Sequence, residues 1–279
     1  MMKLQISRLA FGVGAEVIGV DASQTVADDT IAEIRRAWLE HVVLVFPGQN
    51  LDLEQHIAFS RRFGALEAHP ARKYRHKDHP EIFEVTNRII DGRKSLTAEV
   101  GRKWHSDGAF TVRPPTGSLL HCRQLPSVGG DTWFANMYAA YDGLSPTMKN
   151  VVDGLSVVND LGSYTAVRQL DDHVHDNPPV VQPMVRIHAE TGRKALYLNE
   201  TVTRQIHGMT REESAGLLQY LFAHSVRPEF TYRHRWCRHD LVMWDNRCVM
   251  HLAAGDFDPA EVRQMYRTTL EGEPSGFAA

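Results

Sequence analysis

The chain has 279 residues, of which 43% are hydrophobic and 23% are charged, and no linker, repeat or low-complexity stretch divides it. This composition is typical of a globular protein with a sizeable core, so we predict a single domain over residues 1–279. The net charge of −3 gives no general basic field for nucleic acid, and no apolar run approaches the roughly 20 residues that span a bilayer.

The N-terminal part of the chain predicts both strands and helices. Three hydrophobic runs have the length and composition of strands: residues 15–20, 42–46 and 82–85. Two stretches have helical spacing of their apolar residues: 29–40 and 53–63. Asp52 is a candidate N-cap for the second helix, because Gln55 follows it at the capping-box position.

The remainder of the chain is mostly β in character. Short runs rich in β-branched and aromatic residues predict strands over 117–122, 185–188, 195–199, 229–236, 241–244 and 264–270. A hairpin turning at Glu190–Gly192 joins the second and third of them. One helix begins after Thr210, where Glu213 completes a capping box. We therefore predict a mainly β protein with flanking helices and a jelly-roll core.

The three cysteines, Cys122, Cys237 and Cys248, are scattered, odd in number and never spaced as CxxC. This pattern indicates neither a disulfide scaffold nor a zinc ribbon. We expect buried, reduced thiols in a cytoplasmic protein.

A histidine and an aspartate two residues apart, His105 and Asp107, form the main chemical motif. On a strand, residues i and i+2 project from one face, so the pair predicts two ligands of a facial triad for Fe(II). His251, which follows the strand 241–244 and a turn, is the candidate third ligand. The rival H-x-D at His76–Asp78 lies in a polar run without a strand pattern. The alternative for His105 is a hydrogen-bonded histidine at a strand end.

Arg263 and Arg267 share one face of the predicted strand 264–270 and its approach. If that face lines a barrel, two buried guanidinium groups require anions, because an unpaired buried charge is costly. 2-Oxoglutarate fits, since its ketoacid end chelates iron and its far carboxylate is left for an arginine. In the alternative, Tyr266 and Leu270 face the core and both arginines lie in solvent.

These motifs together resemble the taurine dioxygenase and phenoxyacetate-herbicide dioxygenase family of Fe(II)/2-oxoglutarate-dependent dioxygenases. The similarity spans essentially the whole chain in one order. It is carried by Trp104–Asp107 (WHSD), Gly129–Thr132 (GGDT), Trp244–Arg247 (WDNR) and the pair Arg263 and Arg267.

The resemblance implies a double-stranded β-helix fold, with Fe(II), 2-oxoglutarate as cosubstrate and O₂. It implies three groups of site residues: His105, Asp107 and His251 as iron ligands, Thr132 and Arg263 on the distal carboxylate of 2-oxoglutarate, and Arg267 with His69 on an anionic head group of the substrate. Relatives of this kind also imply a homo-oligomer, either a dimer or a tetramer.

The sequence departs from the taurine enzyme where that enzyme contacts its substrate. Arg72 and Val202 stand at positions that are aromatic in the taurine enzyme, and Gly101 stands near an amide-bearing position. These differences argue against taurine itself, while Arg267 and His69 favour a small anionic substrate. We expect an alkyl sulfonate or sulfate ester first, and an aryloxyalkanoate second.

Three further interpretations remain open from the sequence. Residues 158–182 have little periodicity, and we predict an active-site lid there, with an ordinary surface loop as the alternative. A zinc hydrolase would also use two histidines and an acid, but it has no use for Arg263. A non-catalytic barrel that binds a small acid is the third class of protein.

Overall fold

The computed structural model describes residues 3–68, 74–90, 93–95, 101–162 and 178–277. The α-helices of this part are α1 (Asp28–His41), α2 (Leu53–Arg61), α3 (Met137–Asp142), α4 (Pro146–Val152) and α5 (Arg211–Ser225). The first ten strands are β1 (Gln5–Arg8), β2 (Ala15–Ile18), β3 (Val43–Phe46), β4 (Leu66–Glu67), β5 (Phe83–Thr86), β6 (Ile89–Ile90), β7 (Arg93–Lys94), β8 (Gly117–Gln124), β9 (Thr132–Asn136) and β10 (Ser156–Asn159). The others are β11 (Val180–Pro183), β12 (Val185–Ile187), β13 (Lys194–Leu196), β14 (Thr203–Ile206), β15 (Thr231–His234), β16 (Leu241–Asp245), β17 (Val249–Ala253), β18 (Gln264–Leu270) and β19 (Gly276–Phe277).

The main sheet has the strand order β1-β2-β3-β16-β8-β18-β4, and β5 also pairs with β18. Its pairs are antiparallel except β2 with β3. Both faces of its centre are buried. Leu44 and Met243 belong to the core under α1, while Val45 and Trp244 belong to the core on the opposite face. Burial on both faces explains why these strands are continuous apolar runs rather than alternating ones.

A three-stranded sheet of order β15-β9-β17 covers the face opposite α1. Phe134 of β9 packs on Trp244 of the main sheet, with ring centroids 5.6 Å apart. The register of this small sheet places His251 of β17 opposite Phe134. The second sheet therefore brings His251 towards the face of the main sheet that carries Trp244, since the His251 and Trp244 ring centroids are 4.7 Å apart.

The helix ends follow the capping patterns of the sequence. Asp52 Oδ1 accepts a hydrogen bond from the Gln55 backbone N–H, and Gln55 Oε1 accepts one from the Asp52 backbone N–H. Thr210 and Glu213 form the same reciprocal pair at α5. Each box satisfies two of the orphan N–H groups at a helix start, so both capping predictions are confirmed.

Several sequence predictions of β-structure agree closely with the structure. Strand β18 has the predicted bounds, and β12 and β13 pair as a hairpin in which Gly192 has a φ of 67°. A left-handed φ of this kind suits glycine, which has no Cβ to clash with the chain. The sequence did not predict β9, although the small sheet is built around it.

Two other predictions need correction or restriction. Cys237 is exposed, whereas Cys122 and Cys248 are buried as expected; all three are free.

The ends of the predicted lid, 158–182, belong to β10 and β11, which pair with each other. Residues 163–177 of that segment lie outside the described residues. None of the described helices has the length and apolar character that crossing a bilayer requires.

Candidate active site

His105, Asp107 and His251 meet at one point. Their ligand atoms all lie within 4.8 Å of one another. Nε2 of His105 and Nε2 of His251 are each 3.9 Å from Oδ1 of Asp107. The three residues that the sequence analysis selected are therefore brought together by the fold.

The local backbone that positions His105 differs from the predicted strand. His105 forms an isolated antiparallel bridge with His251, through the hydrogen bonds His105 N to His251 O (3.0 Å) and His251 N to His105 O (2.8 Å). The chain then turns, and Gly108 adopts a φ of 63°. A Cβ at Gly108 would lie 2.3 Å from Cδ of Pro115, so the turn that holds Asp107 requires glycine. The i, i+2 spacing identified His105 and Asp107 as a pair. The backbone that holds them is a β-bridge followed by a turn, rather than the predicted strand.

A chain of buried hydrogen bonds fixes Asp107. Its Oδ2 accepts a 2.7 Å bond from Ser118 Oγ, and Ser118 Oγ accepts one from Asn246 Nδ2. Asn246 Oδ1 in turn accepts from Trp244 Nε1 at 2.8 Å. Second-shell partners of this kind orient ligand side chains, so the WDN segment supports the site from β16. The sequence analysis assigned no role to Ser118 or Asn246.

The protonation states suit metal ligation. Nδ1 of His105 lies 2.7 Å from the Lys103 carbonyl oxygen, which leaves the Nε2 lone pair toward Asp107. Burial lowers the pKa of His105 and lowers that of His251 well below its usual range, so both imidazoles are neutral at pH 7. Nδ1 of His251 is buried with no hydrogen-bond partner among the described residues.

Asp107 is held as a carboxylate. Burial alone would raise its pKa, but the positive charge of Arg267, the two imidazoles and the Ser118 hydrogen bond outweigh burial and hold the pKa well below its usual range. Two neutral imidazoles and one carboxylate are the donor set of a facial triad, which leaves coordination positions open for other ligands. The residues present therefore fit a ferrous ion.

A second cluster of potential metal ligands, His188, Asp245 and Cys248, does not have the chemistry of a metal site. Arg247 binds both oxygens of Asp245, at 2.8 and 2.7 Å, and His188 Nε2 lies 3.0 Å from Oδ2. Burial raises the pKa of the Cys248 thiol well above its usual value. Unlike Asp107, which gives Arg267 one oxygen, Asp245 has both oxygens bound by one arginine, and the Cys248 thiol stays protonated, so this cluster is a structural ion-pair network.

Arg263 and Thr132 lie beside the Gly129–Asp131 turn, away from solvent. Arg263 is 3% exposed, and its Nε donates a 2.9 Å hydrogen bond to the Gly130 carbonyl oxygen. Burial lowers the pKa of Arg263 to about 10. Thr132 is also buried, and its Oγ1 accepts a 3.0 Å bond from Trp236 Nε1. The alternative in which Arg263 lies in solvent is therefore wrong.

Arg267 also points away from solvent, with a side chain 11% exposed. Nη1 donates a 2.8 Å hydrogen bond to Asp107 Oδ1, and the guanidinium lies over the Phe83 ring at 5.0 Å. Its Nε is buried without a partner among the described residues. At about 3.3 Å per residue, Arg263 and Arg267 are roughly 13 Å apart along the strand, enough to serve two different anions.

The other predicted site residues have different placements. His69 and Arg72 lie outside the described residues. Val202 is buried in a small apolar cluster with Ala109, Leu161 and Tyr197. The rival pair His76 and Asp78 lies in the loop before β5, and among the described residues it has no third ligand.

Gly101 and Glu67 add two features near the centre. A Cβ at Gly101 would lie 3.6 Å from Cε1 of His105 and 3.7 Å from Cβ of Ala253, so position 101 packs against the His105 ring. Burial raises the pKa of Glu67 to about 7, while Arg267 opposes the shift and Asp107 adds to it. The sequence did not indicate Glu67, because this residue lies on a two-residue strand and belongs to no motif. Its position two residues before His69 was the only sequence feature that pointed to it.

A two-histidine, one-carboxylate cluster in contact with Arg267 has the donor set of a mononuclear metal site, and the buried Arg263 offers a second position for an anion. The family model described as "Taurine catabolism dioxygenase TauD, TfdA family" matches residues 5–269. The chain therefore belongs to this family of α-ketoglutarate-dependent (2-oxoglutarate-dependent) dioxygenases.

Characterised relatives match nearly the full chain. The chain is 34% identical over 281 residues to a (S)-phenoxypropionate/α-ketoglutarate dioxygenase of Sphingobium herbicidovorans, covering 95% of this chain and 94% of the relative. It is 36% identical over 278 residues to an α-ketoglutarate-dependent 2,4-dichlorophenoxyacetate dioxygenase of Cupriavidus pinatubonensis, covering 93% and 94%. Identity to an α-ketoglutarate-dependent sulfate ester dioxygenase of Pseudomonas putida is 31% over 290 residues, covering 98% and 91%.

Solved structures show the same fold. A taurine dioxygenase from Burkholderia xenovorans superposes with a TM-score of 0.84 at 34% identity, covering 98% of this chain and 90% of that one. The structure of AAD-2 with Mn(II) and N-oxalylglycine superposes with a TM-score of 0.84 at 33% identity, covering 99% and 100%.

Proposed function

We propose that this chain is an Fe(II)- and 2-oxoglutarate-dependent dioxygenase that hydroxylates a C–H bond of a small anionic organic substrate. The observation that carries the proposal is the meeting of His105, Asp107 and His251 within 4.8 Å. When bound, ferrous iron with 2-oxoglutarate and O₂ supplies oxidative decarboxylation to succinate and CO₂, coupled to oxidation of the substrate. The two packed sheets would be the double-stranded β-helix core of one domain.

In this proposal, His105, Asp107 and His251 hold the iron, and the Ser118 and Asn246 hydrogen bonds keep the carboxylate oriented. Neutral imidazoles and an ionised carboxylate need no proton transfer before they bind the metal.

Thr132 and Arg263 would bind the distal carboxylate of 2-oxoglutarate. The support is the burial of both side chains, together with an Arg263 guanidinium that makes no ion pair within the described part of the chain. Leaving such a cation without an anion would cost several kcal/mol, so a buried arginine here favours a carboxylate ligand.

Arg267, with His69, would bind the anionic head group of the substrate. The buried Nε of Arg267 and the stacking of its guanidinium on Phe83 support this role, since they leave a fixed donor beside the metal ligands. Arg72 and Val202 would complete the substrate site, with Val202 acting through the apolar cluster that contains Tyr197. Residues 158–182 would cover the site.

Alkyl sulfonates and sulfate esters are the favoured substrates because an arginine and a histidine suit a tetrahedral anion. Aryloxyalkanoates are the second candidate. They are favoured by the named phenoxypropionate and 2,4-dichlorophenoxyacetate relatives. Family membership does not favour the zinc hydrolase or the non-catalytic barrel. The cytoplasmic location and the dimer or tetramer stay predictions.

The test is succinate formation by the purified protein with Fe(II), ascorbate and 2-oxoglutarate. A panel of alkyl sulfonates, sulfate esters and aryloxy acids should contain compounds that raise succinate release above the substrate-free rate. His105→Ala should abolish turnover, whereas the matched control His76→Ala, from the other H-x-D motif, should keep it. Full activity of His105→Ala would show that the iron assignment is wrong.

A further inference from the structure

The cosubstrate arginine lies close to two acidic side chains that do not bind it. Asp131 and Asp256 both act electrostatically on Arg263, where they oppose the effect of burial on its pKa. Neither forms an ion pair with it. Arg263 instead donates from Nε to the Gly130 carbonyl oxygen. Gly130 joins the two sides, because its carbonyl oxygen accepts from Arg263 and its N–H donates to Asp256 Oδ1, while the main partner of both carboxylates is a different arginine.

Arg233 of β15 binds both carboxylates. Its Nε lies 2.7 Å from Asp131 Oδ2, and its Nη2 lies 2.8 Å from Asp256 Oδ2. Oδ1 of Asp256 accepts a further 3.0 Å hydrogen bond from the Gly130 backbone N–H. One guanidinium thus uses two of its donors to join Asp131, the last residue of the Gly129–Asp131 turn, to Asp256, which also binds the turn at Gly130.

The register of the small sheet separates this ion-pair cluster from the cosubstrate pocket. Arg233 is the cross-strand partner of Trp133, and its guanidinium lies over that ring at 5.5 Å. Successive residues of a strand point to opposite faces, so Trp133 and Asp131 share one face and Thr132 has the other. Arg233 therefore holds the two acids on the face of β9 opposite to Thr132.

A carboxylate tethered beside Arg263 would compete with a dissolved ligand at a high effective concentration. We propose that Arg233 is a positioning residue for the cosubstrate, which binds Asp131 and Asp256 and so leaves the Arg263 guanidinium free for the distal carboxylate of 2-oxoglutarate. This inference rests on the proposed function, because it takes Arg263 as the cosubstrate ligand. Arg233 itself does not touch the cosubstrate.

The test is binding of 2-oxoglutarate to the Mn(II)-loaded protein, measured by isothermal titration calorimetry. Arg233→Met keeps an unbranched side chain at this position and removes the guanidinium that binds both acids and lies over the Trp133 ring. We expect its dissociation constant for 2-oxoglutarate to rise by roughly tenfold, equivalent to about 1.4 kcal/mol. Arg233→Lys should recover part of the affinity because it keeps a cation near both acids. Mn(II) binding without 2-oxoglutarate should stay as in the wild type.

The decisive variant removes the competitors. In the Arg233→Met background, Asp131→Asn with Asp256→Asn should restore the wild-type dissociation constant, since the freed side chains no longer carry charge. Failure of this rescue would mean that Arg233 acts only by holding the turn together. Arg8→Met is the control for loss of a surface charge, since Arg8 is an exposed arginine of β1 that pairs with Glu40 of α1.

The outcomes separate this inference from the proposed function. If the wild-type protein with Mn(II) does not bind 2-oxoglutarate, the proposed function fails. If the wild type binds and Arg233→Met binds equally well, the role of Arg233 alone is overturned. Thermal unfolding shows whether each variant is folded. If Arg233→Met is unfolded, the dissociation constant of Arg233→Lys is compared with that of the wild type instead.

Discussion

Arg267 donates a 2.8 Å hydrogen bond to the same oxygen of Asp107, Oδ1, that lies 3.9 Å from Nε2 of both His105 and His251, the candidate metal ligands. The candidate substrate arginine and the candidate metal ligand are thus in direct contact. A substrate anion bound by Arg267 would lie immediately beside the metal. This contact gives a structural reason why binding and oxidation of an anionic substrate would occur at one place.

Arg267→Met should weaken binding of the anionic substrate. Removal of a charge-assisted hydrogen bond costs about 2 kcal/mol, so we expect KM for the best compound of the succinate panel to rise by roughly 30-fold. Steady-state succinate assays would measure this change, with KM for 2-oxoglutarate as the internal reference. Arg267→Lys should lie between the two proteins. An unchanged substrate KM in Arg267→Met would remove this residue from the substrate site.

Substrate binding should depend on the ionisation of Glu67. Burial raises the pKa of Glu67 to about 7, above the ordinary value of 4.5. Below pH 7 the carboxyl is neutral and leaves the charge of Arg267 for the substrate; above pH 7 its negative charge opposes an anion. We expect KM for the substrate to increase as the pH rises through about 7. The profile of Glu67→Gln should lose this step, while that of Glu54→Gln, at an exposed position of α2, should keep it.

The same shift has a consequence for stability. Because the folded state raises the pKa of Glu67, it binds more protons at this group than the unfolded chain between pH 4.5 and 7. The contribution of Glu67 to the free energy of unfolding is therefore complete below pH 4.5 and is lost as the pH rises through 7. Glu67→Gln should flatten this part of the stability profile in urea unfolding.

Two buried histidines predict destabilisation in acid. Burial lowers the pKa of His56 to about 3 and that of His121 to about 4, from 6.5. Below pH 6.5 the unfolded chain binds protons that the folded chain does not, so the free energy of unfolding falls by about 1.4 kcal/mol per pH unit for each histidine. Urea unfolding at pH 7, 6 and 5 should show a shallower decline for His56→Gln. The decline for His207→Gln, at an exposed position, should match the wild type.

The Gly129–Asp131 turn should tolerate no side chain at its first residue. Gly129 has a φ of 80°, and a Cβ there would lie 2.0 Å from the Asp256 carbonyl oxygen. Gly129→Ala should lower the free energy of unfolding by about 2 kcal/mol or more, the sum of a backbone penalty and a steric clash. Gly48→Ala is a matched control, since Gly48 has a φ of 66° but no atom within 4 Å of the added Cβ. Equal losses in the two variants would disprove the steric argument.

The sequence identified His105, Asp107 and His251 as the candidate metal ligands because residue type and local spacing indicate this chemistry. An H-x-D pair and a histidine after an apolar strand limit the candidates, and the separate motifs of a known family select among them. The capping boxes at Asp52 and Thr210 and the bounds of β18 were equally accessible, since each depends on residues within a few positions of one another.

The tertiary structure decided what depends on residues far apart in the chain. Pairing of β9 with β15 and β17 sets which face carries Thr132 and which carries Arg233, and no local pattern encodes that register. The turn at Gly108, the pairing of Arg267 with Asp107 and the raised pKa of Glu67 likewise follow from long-range packing. Residue types determine which chemistry is available to the chain, but burial and distance determine which groups are charged and which of them meet.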